Sequence, residues 1–279
     1  MSNPAILYTR ITKVDHAQMT EAEDALAAEE PLEIRLLHGP AHNRRQQRVT
    51  VTMRTPGDDR ELATGFLFTE GMIRSAADIA DIRTPDNDSN LLQVSLREHV
   101  QPVLPPVQRN FYANSGCGVC GKASTADIFT PVRQRPASSV FTFPAARLLE
   151  LPGILRQQQS LFENTGGLHA AALFDADGQL LLLREDIGRH NAVDKVIGAA
   201  LATAGGTHLP GCLLLLSGRA GFELIQKAAM AAIPMVAAVG APSGMAVKMA
   251  QEWDITLIGF LRQQRCNIYT NAERLTLNA

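Results

Sequence analysis

The chain is poor in several things, and each scarcity excludes something. Only four of its 279 residues are Cys, and only Cys117 and Cys120 lie close together, so no disulfide framework is encoded. No apolar run approaches the roughly 18 residues that a membrane span requires. Met1 to Gln18 hold no apolar core behind a basic start and do not read as a signal peptide. The net charge of −2 gives no global attraction to nucleic acid or to an anionic membrane. No Walker-type Gly-Lys-Ser/Thr occurs, so an NTPase is unsupported. The Gly-x-Gly-x-x-Gly run from Gly116 to Gly121 frames Cys117 and Cys120 in a stretch without strand or helix period, so a dinucleotide fold is unsupported too. These absences lead us to expect a cytoplasmic protein with reduced thiols, and neither a nucleic acid nor a membrane as its partner.

What is present is an ordinary globular composition, 46% hydrophobic and 19% charged, long enough for one large domain or two modest ones. One bias stands out. Lysine is scarce, and twenty-one of the 26 cationic residues are Arg. The guanidinium fork grips phosphate or carboxylate through two parallel hydrogen bonds, so the surplus points to a local anion site.

The two neighbouring cysteines sit in Phe111-Tyr-Ala-Asn-Ser-Gly-Cys-Gly-Val-Cys-Gly-Lys-Ala-Ser-Thr125. The run has no helical or strand period and reads as a loop able to carry Cys117 and Cys120 outward. Lys122 favours a thiolate over a thiol. Such a pair can ligate zinc, act as a redox dithiol, or carry sulfur as a persulfide. It can also be two small residues packed under a loop. For zinc, His169 is the best third ligand in kind, but it is followed by Ala170 and Ala171 where a nucleoside deaminase needs a Glu two residues on. A dithiol pair prefers the start of a helix, whereas three glycines around the cysteines favour reach.

Along the chain, residues 1–30 read as a loosely held leader and 31–144 as a small α+β domain carrying the cysteine loop 111–125. In that domain Leu32–Leu37 and Gln47–Arg54 alternate like the strands of a hairpin, and a helix over Arg60–Gly71 takes Asp58 or Asp59 as N-cap and Gly71 as its stop. Leu91–Arg97 reads as another strand and 131–144 as a linker. Residues 145–279 change pattern. A helix over Ala145–Phe162 leads to two strands, and helices then alternate with the short apolar strands Cys212–Leu216, Met235–Val239 and Ile255–Phe260. That alternation argues for a largely parallel sheet covered on both faces. In such sheets ligands sit beyond the carboxyl ends of the strands, beside helix N-termini. Arg189, Arg219, Arg262 and Arg265 all fall at those ends, which suits a phosphorylated ligand such as a nucleotide.

Several stretches taken together resemble a known family. Met53-Arg-Thr-Pro-Gly-Asp-Asp59, Gly65-Phe-Leu-Phe-Thr-Glu-Gly71, Cys117-Gly-Val-Cys-Gly-Lys122, Thr165-Gly-Gly-Leu-His-Ala-Ala171, Glu185-Asp-Ile-Gly-Arg-His-Asn-Ala-Val-Asp-Lys195 and Phe260-Leu-Arg-Gln-Gln-Arg265 look like the FdhD family. These are sulfur carriers needed for active formate dehydrogenase, and the likeness runs from about residue 32 to 275. It implies a cytidine-deaminase-like α/β/α fold in the second domain without deaminase chemistry. It further implies that a cysteine desulfurase loads a persulfide on Cys117, with Cys120 as helper. The sulfur then passes to a molybdenum cofactor bearing two pterin guanine dinucleotides, of which GDP is a partial mimic. The segment Phe260, Leu261, Arg262, Gln263, Gln264 and Arg265 falls on the one assigned to that cofactor, and we add Arg189 and Arg219 to it. A homodimer, a formate dehydrogenase client and no metal of its own complete the expectation, with persulfide transfer as an accessory sulfurtransferase activity.

Overall fold

The computed structural model describes residues 3–104, 141–203 and 209–277. The stretch expected as a loose leader is instead a hairpin of β1 (Ile6–Asp15) and β2 (Gln18–Ala27), paired antiparallel from Ile6 opposite Ala27 to Asp15 opposite Gln18. Its two-residue turn places His16 and Ala17 at φ of 43° and 66°, the left-handed geometry that matches strand twist. Neither residue is a usual signal for such a turn, which hides the hairpin in the sequence.

The next unit follows the expected pattern. Strands β3 (Glu30–His38) and β4 (Arg45–Arg54) form the hairpin, and β5 (Ile79–Arg83) and β6 (Leu91–Leu96) complete a four-stranded sheet of order β4-β3-β6-β5. Helix α1 (Asp59–Thr69) covers it, burying Leu62 and Leu67 against Leu32, Ile34, Leu36 and Val94. Asp58 precedes α1 in a left-handed conformation and makes no side-chain cap; its carboxylate lies 3.6 Å from Arg184 instead. Gly71, at φ 73°, ends the helix as its conformational freedom predicts.

The expected linker contributes to the second core at its end. Phe141 and Phe143 are buried there, and β7 (Phe143–Pro144) pairs parallel with β14 (Leu275–Thr276) near the far end of the chain. The long helix expected next is broken at Gln159 into α2 (Ala145–Gln158) and α3 (Ser160–Thr165). The break is held by the Glu185 carboxylate, which accepts from the backbone N–H groups of Leu161 and Phe162 at 3.0 and 2.8 Å.

The main sheet has the order β13-β12-β11-β10-β8-β9. Its strands are β8 (His169–Phe174), β9 (Leu180–Asp186), β10 (Leu213–Leu216), β11 (Met235–Ala238), β12 (Thr256–Arg262) and β13 (Arg265–Ile268). The parallel pairing holds for the three central strands β10, β11 and β12; β8 runs against both its neighbours, and β13 folds back on β12. Helix α2 covers one face. Helices α4 (Arg189–Ala202), α5 (Phe222–Met230) and α6 (Gly244–Glu252) cover the other, an α/β/α sandwich. Both faces being buried explains why Leu213 to Leu216 is apolar without alternation.

The two units are joined where α1 crosses α4. A Cβ on Gly65 would stand 1.8 Å from the Asp194 carbonyl oxygen, and one on Gly198 would stand 1.9 Å from that of Glu61. The backbones therefore touch, and only glycine fits at either crossing position. Around this contact runs a buried polar seam. Lys195 pairs with Asp186 at 2.8 Å and donates to the Thr55 carbonyl at 2.9 Å. Asn191 donates to the Met53 carbonyl at 2.7 Å, and Lys227 pairs with Asp194 at 2.9 Å.

Candidate functional site

Because β8 runs against its neighbours, its first residue lies at the same edge as the last residues of β9, β10, β11 and β12. His169 there faces Asp186 in the β8–β9 register. The ladder is continued past β10 by Ser217, whose hydroxyl accepts from the Ala170 N–H at 2.8 Å and whose own N–H donates to the Ala170 carbonyl at 3.0 Å. Beyond Ser217 the chain forms two loops in backbone contact. Gly240 donates to the Gly218 carbonyl at 2.8 Å, and Ala220 and Pro242 form a parallel bridge. A Cβ on Gly240 would lie 2.9 Å from the Arg219 nitrogen, so the close approach depends on glycine.

The end of β12 is bent by a bulge between Gly259 and Arg262. Phe260 adopts φ 52°, donates its N–H to the Gly240 carbonyl at 3.0 Å, and stands 42% exposed. Bulges re-aim side chains in this way. Here the outcome is a bare aromatic ring beside the two glycine loops. Leu261 points the opposite way and is fully buried beneath α2, with neither its side chain nor its backbone exposed. The exposed Arg262 donates to the carbonyls of Leu261, at 2.9 Å, and Val239, which ties β12 to the loop after β11. Gln263 and Gln264 form the exposed turn into β13, where Arg265 pairs in register with Arg262; Gln263 reaches back toward Gly153 of α2.

The arginines fall into two kinds. Arg54, Arg184 and Arg274 are committed to carboxylates, and Arg44 is committed to the carbonyls of Leu37, Gly39 and Leu96. Arg189, at the start of α4, is different: its Nε is buried and has no hydrogen-bond partner among the described residues. Arg219 is exposed in the glycine loop. Both act electrostatically on His169. Burial and these two guanidinium groups hold the His169 imidazole below its ordinary pKa, against an opposing pull from Asp186. The sheet edge thus brings together Arg189, Arg219, Arg262, Phe260 and His169, with Arg265 beside Arg262 at the start of β13.

Cys117 and Cys120 lie outside the described residues. The other two cysteines do not resemble sulfur nucleophiles. Burial pushes the Cys212 thiol up to about 11, and burial likewise raises that of Cys266. The stretch from Glu185 to Lys195, within which the sequence places Arg189 at the ligand edge, is mostly engaged in the seam. Asp186 accepts from Gly188 N–H, Asn191 and Thr55 N–H as well as pairing with Lys195.

This geometry can be set beside known proteins. The model of the FdhD/NarQ family matches residues 27–276. The chain belongs to the FdhD/NarQ family. Relatives named sulfur carrier protein FdhD include one from Mycolicibacterium paratuberculosis, 49% identical over 95% of this chain and 97% of that protein. Another, from Thermoplasma volcanium, is 38% identical over 96% of this chain and 95% of that protein. A crystal structure of a protein assigned as a formate dehydrogenase accessory protein, from Desulfotalea psychrophila, has the same fold. It superposes with a TM-score of 0.74 over 98% of this chain and all of that one, at 23% identity. The family's mixed α/β fold is therefore that of this chain. Among the described residues no helix is long and apolar enough to cross a membrane.

Proposed function

We propose that this FdhD/NarQ member is a sulfur carrier that serves a formate dehydrogenase in the cytoplasm. Cys117 accepts sulfur from the persulfide of a cysteine desulfurase: its thiolate attacks the outer sulfur, the donor's S–S bond breaks, and the donor cysteine leaves as thiolate. Cys120 assists. The sulfur then passes to the molybdenum bis(guanine dinucleotide) cofactor, which is cargo rather than a resident group, and the protein acts as a homodimer. The relatives' name supports the carrier role, and Cys117 and Cys120 supply the chemistry.

The acceptor half rests on one observation, the convergence of Arg189, Arg219, the carbonyl-anchored Arg262 and an exposed aromatic ring on the glycine loops of one sheet edge. The residues fit a guanine nucleotide. Arg189 brings a buried Nε that has no acceptor among the described residues. Arg219 and Arg262 supply further cationic donors, Gly218 and Gly240 expose backbone, and Phe260 offers a face for a purine to stack on.

Calorimetry with GDP tests this reading. A charge-assisted contact is worth roughly 1.5–3 kcal/mol, so Arg219→Ala or Arg262→Ala weakens GDP binding about ten-fold or more. Arg10→Ala, on the exposed face of the β1–β2 hairpin, leaves it unchanged. Both site variants still load sulfur on Cys117 but deliver none, since loading and handover use different surfaces. Unaltered GDP affinity in both, with delivery intact, removes the nucleotide from these loops.

A further inference from the structure

His169 occupies a position that the carrier chemistry leaves unused. A Cβ on Gly218 would stand 3.1 Å from its Nδ1 and 3.3 Å from its Cε1, so the ring lies directly over the glycine loop after β10. The charged groups around it come from three elements: Asp186 from β9, Arg189 from the start of α4, and Arg219 from the β10–α5 loop. Ser217, beside it, is committed to Ala170. Asp186 is no free counter-ion, because its oxygens already accept from Lys195, Asn191 and two backbone N–H groups. The imidazole therefore lies over the glycine loop in the field of two guanidinium groups, Arg189 and Arg219, whose charge opposes its protonation.

We propose that His169 is the proton-linked member of this anion site: it takes up a proton when a phosphate group of a nucleoside diphosphate settles between Arg189 and Arg219, donates a hydrogen bond to it, and returns the proton to water on release. The inference rests on the nucleotide reading of the sheet edge. The physical cause is reciprocal. In the free protein, burial and the two arginines disfavour imidazolium. A bound phosphate brings up to two negative charges to the same spot and reverses the balance. Binding then absorbs protons at pH values between the depressed pKa of the free protein and the higher one of the complex. Affinity rises as pH falls through that window, by at most ten-fold per pH unit for one linked proton, and levels off below it. Cargo is held more tightly in acid and released more readily in base.

The ligand's terminal phosphate titrates near pH 6 and contributes linkage of the opposite sign. The measurement is therefore a difference between wild type and His169→Gln. GDP is titrated calorimetrically at pH 7 in two buffers of different ionisation enthalpy, and again at pH 6.5 and 8. Wild type takes up a clear fraction of a proton more than the variant, and its affinity falls several-fold more between pH 6.5 and 8. Equal proton counts and parallel pH dependence overturn the proposal while leaving the nucleotide site standing. Failure of wild type to bind GDP at millimolar concentration sinks the nucleotide reading itself, and this one with it. Should His169→Gln fold poorly, NMR titration of the wild-type histidines decides: one imidazole must show a pKa that rises on adding GDP. Gly218→Ala, which presses a methyl group on the ring, must displace that same resonance.

Discussion

Lys227 carries its charge into the seam between the two units, where its side chain is only 7% exposed and that of Asp194 only 2%. It donates to both Asp194 oxygens and to the Thr69 hydroxyl, and lies 3.6 Å from Glu70. Replacing both partners with apolar residues could be nearly neutral, but removing one strands the other. Lys227→Met should therefore lower the unfolding free energy in urea by about 3–5 kcal/mol. A loss below about 1 kcal/mol would mean that Asp194 simply takes a proton and the pair matters little. The cysteines pose the opposite case, of function without a structural debt. Cys117→Ala should abolish sulfur transfer to formate dehydrogenase in a deletion strain, and Cys120→Ala should weaken it. Cys212→Ala and Cys266→Ala should leave transfer intact, because burial keeps both thiols protonated. Transfer surviving in the Cys117, Cys120 double variant would end the carrier reading.

At the scale of elements, the α1–α4 crossing sets the relation between the small sheet and the large one. Its two glycines meet carbonyl groups rather than side chains, and a backbone cannot rotate out of the way. Gly65→Ala and Gly198→Ala should each cost about 3 kcal/mol or more, at or beyond the upper end for overpacking, read as a drop in the urea midpoint. Gly153 provides the contrast within α2: a Cβ there meets only the tip of Gln263 at 3.9 Å. Gly153→Ala should be neutral or stabilise by roughly 0.5–1 kcal/mol, since alanine limits the unfolded chain. If all three glycines respond alike, the crossing is not what separates them. The strand ends illustrate the same principle in the functional direction. The β12 bulge turns Phe260 outward while Leu261, its neighbour, stays in the core.

For the whole molecule, the sharpest rival to a carrier is a zinc protein built on Cys117, Cys120 and His169. The structure sets His169 over the Gly218 loop, in the field of Asp186, Arg189 and Arg219. Protein purified without chelator should contain far less than one zinc per chain, and chelator should not shift its melting temperature. Stoichiometric zinc that disappears with Cys120→Ala would favour the zinc module. Much of the architecture is legible from sequence because it rests on local pattern. Alternation marks β3, β4 and β6, wholly apolar runs mark β10 and β11, and glycines mark the loops where arginines collect. The cysteine pair and the family resemblance are legible for the same reason, being contiguous. Other features depend on partners far along the chain. Thr55 N–H reaches Asp186 across 131 positions, and Lys195 reaches Thr55 across 140. Which arginines stay uncommitted is likewise decided by distant carboxylates and carbonyls, so Arg44 proves structural while Arg189 keeps a buried nitrogen with no acceptor among the described residues. Local sequence determined what the elements are and which chemistry the chain carries. Tertiary structure decided which polar groups are spent on holding the two units together and which remain free to bind, because a buried charge is satisfied only by what the fold places within about 3 Å of it.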